Sequence, residues 1–178
     1  DRAGHAGRMG EILLKRPGKD GYYLNIAAEV AKRSTCLRRH FGAVIVRDDQ
    51  IISTGYNGAP RGSINCIDLD DCPRQRAGVP PGERYELCRS VHAEMNAIIH
   101  ASRQDMLGST LYVACLDPFT GERVDGIKPC KLCTRMIINA GIAWVVTGAG
   151  DGRVQRYSVA KFVEEDRAEW TPENMAGY

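Results

Sequence analysis

The amino-acid sequence predicts an α/β fold, a three-layer α/β/α sandwich on a central mixed sheet of five strands. Three observations carry this. Apolar patterning runs helix, strand, strand, helix, strand, helix, strand and then a closing strand and helix, an order that covers a sheet with helices on both faces. The first two strands are separated by a four-residue polar turn and read as a hairpin. The chain has 178 residues, 43% hydrophobic and 26% charged, the size and balance of one domain with a real core. A mobile segment is expected over residues 1–20, which open Gly- and Arg-rich, followed by one domain over 21–178.

Taken in order, residues 22–34 place Leu24, Ile26, Ala27, Val30 and Ala31 on one helical face, with Pro17-Gly18 as the turn before it. Residues 41–46 and 51–56 are apolar, β-branched runs joined by Arg47-Asp48-Asp49-Gln50. Residues 57–89 carry Gly, Pro, charge and three cysteines with little periodicity, and a loop of that length is uncommon unless functional or pinned. A helix is expected over 92–102, burying Met95, Ile98 and Ile99, and a short strand over 111–115. A second helix runs from 130 to 140, where Gly141 is a natural stop. Strands over 142–147 and 154–159 and a helix over 161–170 complete the reading.

Charge and composition exclude several classes. The net charge of +2 is too mild to argue for nucleic-acid binding. No apolar run is long enough to span a membrane, and no signal-peptide core is seen. Seven cysteines, an odd number beside metal-ligand spacing, favour reduced thiols and a reducing, cytoplasmic compartment.

The chemistry concentrates between residues 91 and 133. His92-Ala93-Glu94 opens this stretch and Pro129-Cys130-Lys131-Leu132-Cys133 closes it. Thiols at i and i+3 of a helix face the same way, so Cys130 and Cys133 can grip one ion with His92. Zinc held by three protein ligands keeps a fourth position for water, whose pKa falls from about 15.7 to about 7. Glu94 is close enough to move protons without ligating. Each part alone has a plainer reading, a structural zinc half-site or a core histidine. Together, in this order, they resemble the signature of zinc-dependent base deaminases.

Residues 51–62, which end Gly55-Tyr56-Asn57-Gly58-Ala59-Pro60-Arg61-Gly62, narrow the resemblance. So do Arg33-Ser34-Thr35-Cys36 and Ile137-Ile138-Asn139-Ala140-Gly141-Ile142. These are similar to the deoxycytidylate (dCMP) deaminase family, over roughly residues 22–147. The resemblance implies a cytidine-deaminase-like fold and zinc-dependent hydrolysis of dCMP to dUMP and ammonia, feeding thymidylate synthesis. It implies His92, Cys130 and Cys133 as zinc ligands and Glu94 as the proton carrier. Ala93 and Asn57 would meet the substrate, Asn57 through the sugar hydroxyl; its plainer role is that of a turn residue. Family members are often homohexamers activated by dCTP and inhibited by dTTP. Tyr56, Gly58, Arg61, Gly62 and Arg103 are the positions for an effector phosphate, with Mg2+ possible beside a triphosphate. Arg61 and Arg103 read equally as solvated surface arginines.

Cys36, Cys66, Cys72 and Cys88 suffice for a second, all-cysteine structural zinc. His40 or His100 could replace one of them; free thiols and disulfides are the alternatives. Cys115 reads as core. Residues 116–128 form an insertion beside the expected pocket and leave dCTP or another aminated nucleotide as the runner-up substrate. A zinc-stapled module without catalysis is disfavoured, because it would not need Glu94.

Overall fold

A computed structural model describes residues 15–175. The expected mobile end therefore falls largely outside the described residues. The first helix, α1 (Lys19–Ala31), starts ahead of residue 21 because Asp20 is tied down. Its carboxylate accepts from the Tyr112 hydroxyl at 2.9 Å and from Arg156 Nη1 at 2.8 Å. Strands β1 (His40–Arg47) and β2 (Gln50–Tyr56) follow as the expected hairpin. Asp48 and Asp49 both have positive φ, at 50° and 60°, the backbone of a two-residue turn matched to strand twist.

Two short helices, α2 (Cys66–Leu69) and α3 (Pro73–Arg76), and a 3₁₀ turn at Tyr85–Leu87 break up the long loop. Gly58 and Val91 exchange backbone hydrogen bonds of 3.2 and 2.8 Å and close its two ends. The helix expected over 92–102 is shorter, α4 (Ala93–Ile99). Ser102 begins a separate turn, α5 (Arg103–Met106), by accepting the Asp105 N–H. The chain continues with β3 (Thr110–Leu116), α6 (Lys131–Ala140), β4 (Trp144–Gly150), β5 (Arg153–Ser158), α7 (Val159–Glu169) and α8 (Pro172–Met175). Gly141 ends α6 at φ 80°, as expected.

The sheet order is β2-β1-β3-β4-β5, with only β3 and β4 parallel. A parallel pair needs a crossover, and α6 supplies it. Side chains alternate between two cores. Ala43, Ile45, Leu111, Val113 and Val145 face α4, α6 and α7, while Val44, Val46, Tyr112, Ala114 and Val146 face α1. The layers are therefore α/β/α around a mixed five-stranded sheet, as predicted. None of the described helices is long and apolar enough to cross a membrane.

Two glycines set how close the layers come. A Cβ on Gly42 would lie 2.0 Å from the Ala27 carbonyl oxygen, and one on Gly55 would lie 2.3 Å from the Ala97 nitrogen. Helices thus rest directly on the strand backbones. The start of β1 and the ends of β2 and β3 share one end of the sheet, since His40 pairs with Leu116 and Gly42 with Tyr56. The functional residues gather at that end.

Candidate metal centre and active-site cavity

His92 and Cys130 are the N-caps of α4 and α6, both with extended backbone. This places an imidazole and a thiol at the positive ends of two helices lying on the same face of the sheet. His92 Nδ1 is 3.5 Å from Cys130 Sγ and 3.3 Å from Cys133 Sγ. All three donor atoms lie within 4.8 Å of one another. Cys130 Sγ also accepts the Cys133 N–H at 3.5 Å.

The electrostatics favour a thiolate here. The Cys133 thiol, chiefly, and then His92 draw the Cys130 thiol down to about 4, against the cost of burial. Cys133, which gives that hydrogen bond and is buried, moves upward. The bond to Cys130 raises His92. One nitrogen and two sulfurs at this spacing, one sulfur already favouring its anion, fit zinc. Glu94, in the first turn of α4, is buried, and desolvation raises its carboxyl above the ordinary range. A buried carboxyl shifted toward its neutral form suits acid–base work.

His92, Glu94 and Cys130 open onto a cavity of about 560 Å³, within the size range of small-molecule sites. Tyr85 packs edge-on to His92, with centroids 5.1 Å apart, and the Arg74 guanidinium lies 4.8 Å above the Tyr85 ring. Arg74 is fixed by donating to the carbonyls of Pro80, at 3.0 Å, and Glu83, at 2.6 Å. Burial pushes the Tyr85 phenol upward. Sequence reasoning missed this wall; an aromatic next to Cys88 in an otherwise polar loop was the available signal.

The other expected residues divide. Ala93 is fully buried and lines the cavity, as does Asn57. Asn57 is also architectural. Its Oδ1 accepts from the Ser34 hydroxyl at 2.6 Å and the Phe41 N–H at 2.8 Å, and its Nδ2 donates to the Arg39 carbonyl at 3.0 Å. One amide proton is left over. Cys36, Cys66, Cys72 and Cys88 all line the cavity, and burial and then the neighbouring Cys36 raise Cys66. Among the described residues, however, only the His92 set comes within 4.8 Å. Neither histidine alternative joins the loop thiols as placed: His40 Nε2 meets the Cys36 carbonyl, and both ring nitrogens of His100 are engaged by Thr54 and Arg61. Cys115 is core, pushed to about 12 by burial.

Tyr56, Gly58, Arg61, Gly62 and Arg103 lie outside the cavity lining. Arg61 contacts His100 at 3.0 Å, and Arg103 donates to the Asn139 carbonyl at 2.9 Å. Gly62 has φ 82°. Gly58 instead meets the Thr35 hydroxyl, 2.7 Å from where its Cβ would be.

Comparison with known proteins agrees with this geometry. The family model described as cytidine and deoxycytidylate deaminase zinc-binding region matches residues 17–149. The deoxycytidylate deaminase of Mycobacterium phage D29 is 39% identical over 138 residues, 75% of this chain and 96% of that protein. The deoxycytidylate deaminase of Schizosaccharomyces pombe is 37% identical over 131 residues, 74% of this chain but only 37% of the yeast protein. The apo crystal structure of dCMP deaminase from the cyanophage S-TIM5 superposes with a TM-score of 0.50 at 25% identity, covering 78% of this chain and 89% of that one. With the zinc-ligand set, the buried glutamate and the sheet order all in place, the chain belongs to the cytidine and deoxycytidylate deaminase family.

Proposed function

We propose that the protein hydrolyses dCMP to dUMP and ammonia, as a single domain over residues 21–178. One observation carries the reading: a buried glutamate beside a His-Cys-Cys donor set at the floor of a nucleotide-sized cavity. The names of the relatives, including a phage protein spanned over nearly its whole length, support dCMP as the substrate.

His92, Cys130 and Cys133 would hold the zinc, which when bound supplies the Lewis acidity that makes a water nucleophilic near neutral pH. Glu94 takes a proton from the attacking water and delivers it to ring N3 as C4 is hydroxylated. It then takes the proton of the new C4 hydroxyl and hands it to the exocyclic nitrogen, which leaves as ammonia while the C4 carbonyl forms. Burial serves both transfers, since the carboxyl accepts and gives up a proton without leaving a stable buried charge. Tyr85 and the fixed Arg74 hold the His92 ring in place, and the spare amide proton of Asn57 faces the sugar hydroxyl.

Cys36, Cys66, Cys72 and Cys88 would hold a second zinc, a role supported by their shared position on the cavity wall. An oligomer, with dCTP and dTTP acting at Tyr56, Gly58, Arg61, Gly62 and Arg103, with Mg2+ on a triphosphate, completes the proposal in a cytoplasmic setting. The purified protein should be offered dCMP, dCTP, deoxycytidine and cytidine, each with and without dCTP or dTTP. Preferred turnover of dCMP is expected. Preference for dCTP would move the assignment to the runner-up substrate, and turnover of none would overturn it.

A further inference from the structure

The turn that follows β3 carries a side chain whose place the fold does not explain. Phe119 is 87% exposed, more than any other large apolar side chain among the described residues, yet it lines the cavity around Glu94. An exposed ring would mean little on a loose loop. This loop is stapled. Pro118 fixes φ at the second position of the turn, and Asp117 accepts the N–H groups of Phe119 and Thr120. The Gly121 N–H donates to the Asp117 carbonyl at 2.8 Å, and the Asp117 N–H donates to the Glu122 carbonyl at 2.9 Å. Two side-chain contacts tie the turn to the body of the protein. Arg39 pairs with Asp117 at 3.0 Å, and Arg123 Nη2 donates to Asn25 Oδ1 of α1 at 2.5 Å.

These bonds account for the backbone of the turn and not for the ring, since none of them involves the Phe119 side chain. An apolar ring held in water at a cavity mouth forgoes the gain from burial unless a ligand covers it. Aromatic side chains lining small-molecule sites supply such contact area. The floor of the cavity belongs to Glu94 and the metal ligands, which take the amine-bearing edge of the base. A ring at the mouth therefore meets what remains outside, the sugar.

We infer that Phe119 is a substrate-contacting residue, whose ring packs on the deoxyribose of a nucleotide held in the cavity and closes its mouth. This rests on the deaminase reading above. The contact is apolar, so the binding it supplies does not depend on the phosphate. It is carried by the insertion over residues 116–128, so it adds to the zinc motifs rather than coming with them. The competing cover for the ring is a second copy of the chain.

The test separates the two. Zinc-loaded wild-type protein is compared with Phe119→Ala and Phe119→Leu on dCMP and deoxycytidine, with zinc content, Tm and mass by light scattering measured in parallel. Phe119→Ala is expected to lower kcat/KM about tenfold on both substrates alike, chiefly through KM, the loss that a partly covered phenyl ring implies. Phe119→Leu should recover part of it. Zinc content, Tm and mass should keep their wild-type values, because the ring supports nothing in the free protein. An unchanged kcat/KM, a loss confined to one substrate, or a loss accompanied by a change of mass would overturn the inference while leaving the deaminase reading intact.

Binding is read separately with Phe119→Trp. Trp144 and Trp170 are present in the wild type as well, so the difference in emission reports the introduced indole. It should emit as a solvated indole in the free protein. With dUMP or deoxyuridine it should shift to the blue and resist acrylamide quenching, and with inorganic phosphate it should not change. If the wild type turned over neither substrate, the deaminase reading would fail, and this measurement alone would decide the contact. An indole that dUMP leaves solvated, or one already shielded in the free protein, overturns it.

Discussion

Two groups of thiols face one cavity, and they are held in different ways. Cys130 and Cys133 sit on one helical turn, at an N-cap and three residues on, and α6 is packed against the sheet. Their spacing is fixed before any ion arrives. Cys36, Cys66, Cys72 and Cys88 come from the α1–β1 connection, the starts of two four-residue helices and the end of a 3₁₀ turn. Nothing local fixes their mutual distances, and they do not close to ligation range as the first group does. Packed secondary structure preorganises the first group; the second depends on a long loop, which a bound ion would tie down.

The sharpest break of this comparison is His92→Ala. It should abolish turnover and remove one zinc per chain while the far-UV spectrum stays folded, because α4 and α6 are held by core contacts rather than by the ion. Cys66→Ser should act on the other side. Zinc content is expected to fall from about two ions per chain to about one, with a lower Tm and increased proteolysis within residues 57–89. Cys115→Ser should leave the zinc count unchanged. If Cys66→Ser kept its full zinc content, the loop thiols would be independent.

Gly55→Ala sharpens the rigid side. The added Cβ would meet α4 backbone at 2.3 Å, so a loss of about 1–3 kcal/mol in denaturant unfolding is expected, as for an overpacked core. The smallest effect concerns the loop at residues 117–123, which carries Phe119 onto the cavity wall. Asp117 accepts the N–H groups of Phe119 at 2.9 Å and Thr120 at 3.2 Å, and these bonds hold its carboxyl below the ordinary 3.8. A lowered folded-state pKa means the stabilisation is present above the unfolded value and is lost as pH falls through the folded one. Protection of the Phe119 and Thr120 amides, relative to their intrinsic exchange rates at each pH, should therefore fall below about pH 4, and Asp117→Asn should remove that loss of protection.

The same contrast explains what could be read in the sequence. His92, Glu94, Cys130 and Cys133 were legible because their relation is set by spacing on helices whose apolar patterns are plain. Both cores were legible from strands such as Ala43–Val46, where every residue is buried. The four-residue helices at Cys66, Pro73 and Arg103 were not, since one turn leaves no periodicity to detect. Tyr85 reaches the cavity through the tertiary path of a loop, which no local pattern encodes. Gly55 belongs to the same glycine-rich stretch as the effector positions Gly58 and Gly62, but its missing Cβ admits α4, a packing role that the sequence does not reveal without the helix in view.

The most direct test of the account compares wild type with Glu94→Gln, measuring dCMP turnover and zinc per chain on the same preparations. The account predicts that the variant keeps the wild-type zinc content while kcat falls by about 10²–10⁴-fold, the usual contribution of general acid–base catalysis. Turnover retained near the wild-type rate with zinc in place would contradict it, because the buried carboxyl would then not be the group that carries the protons.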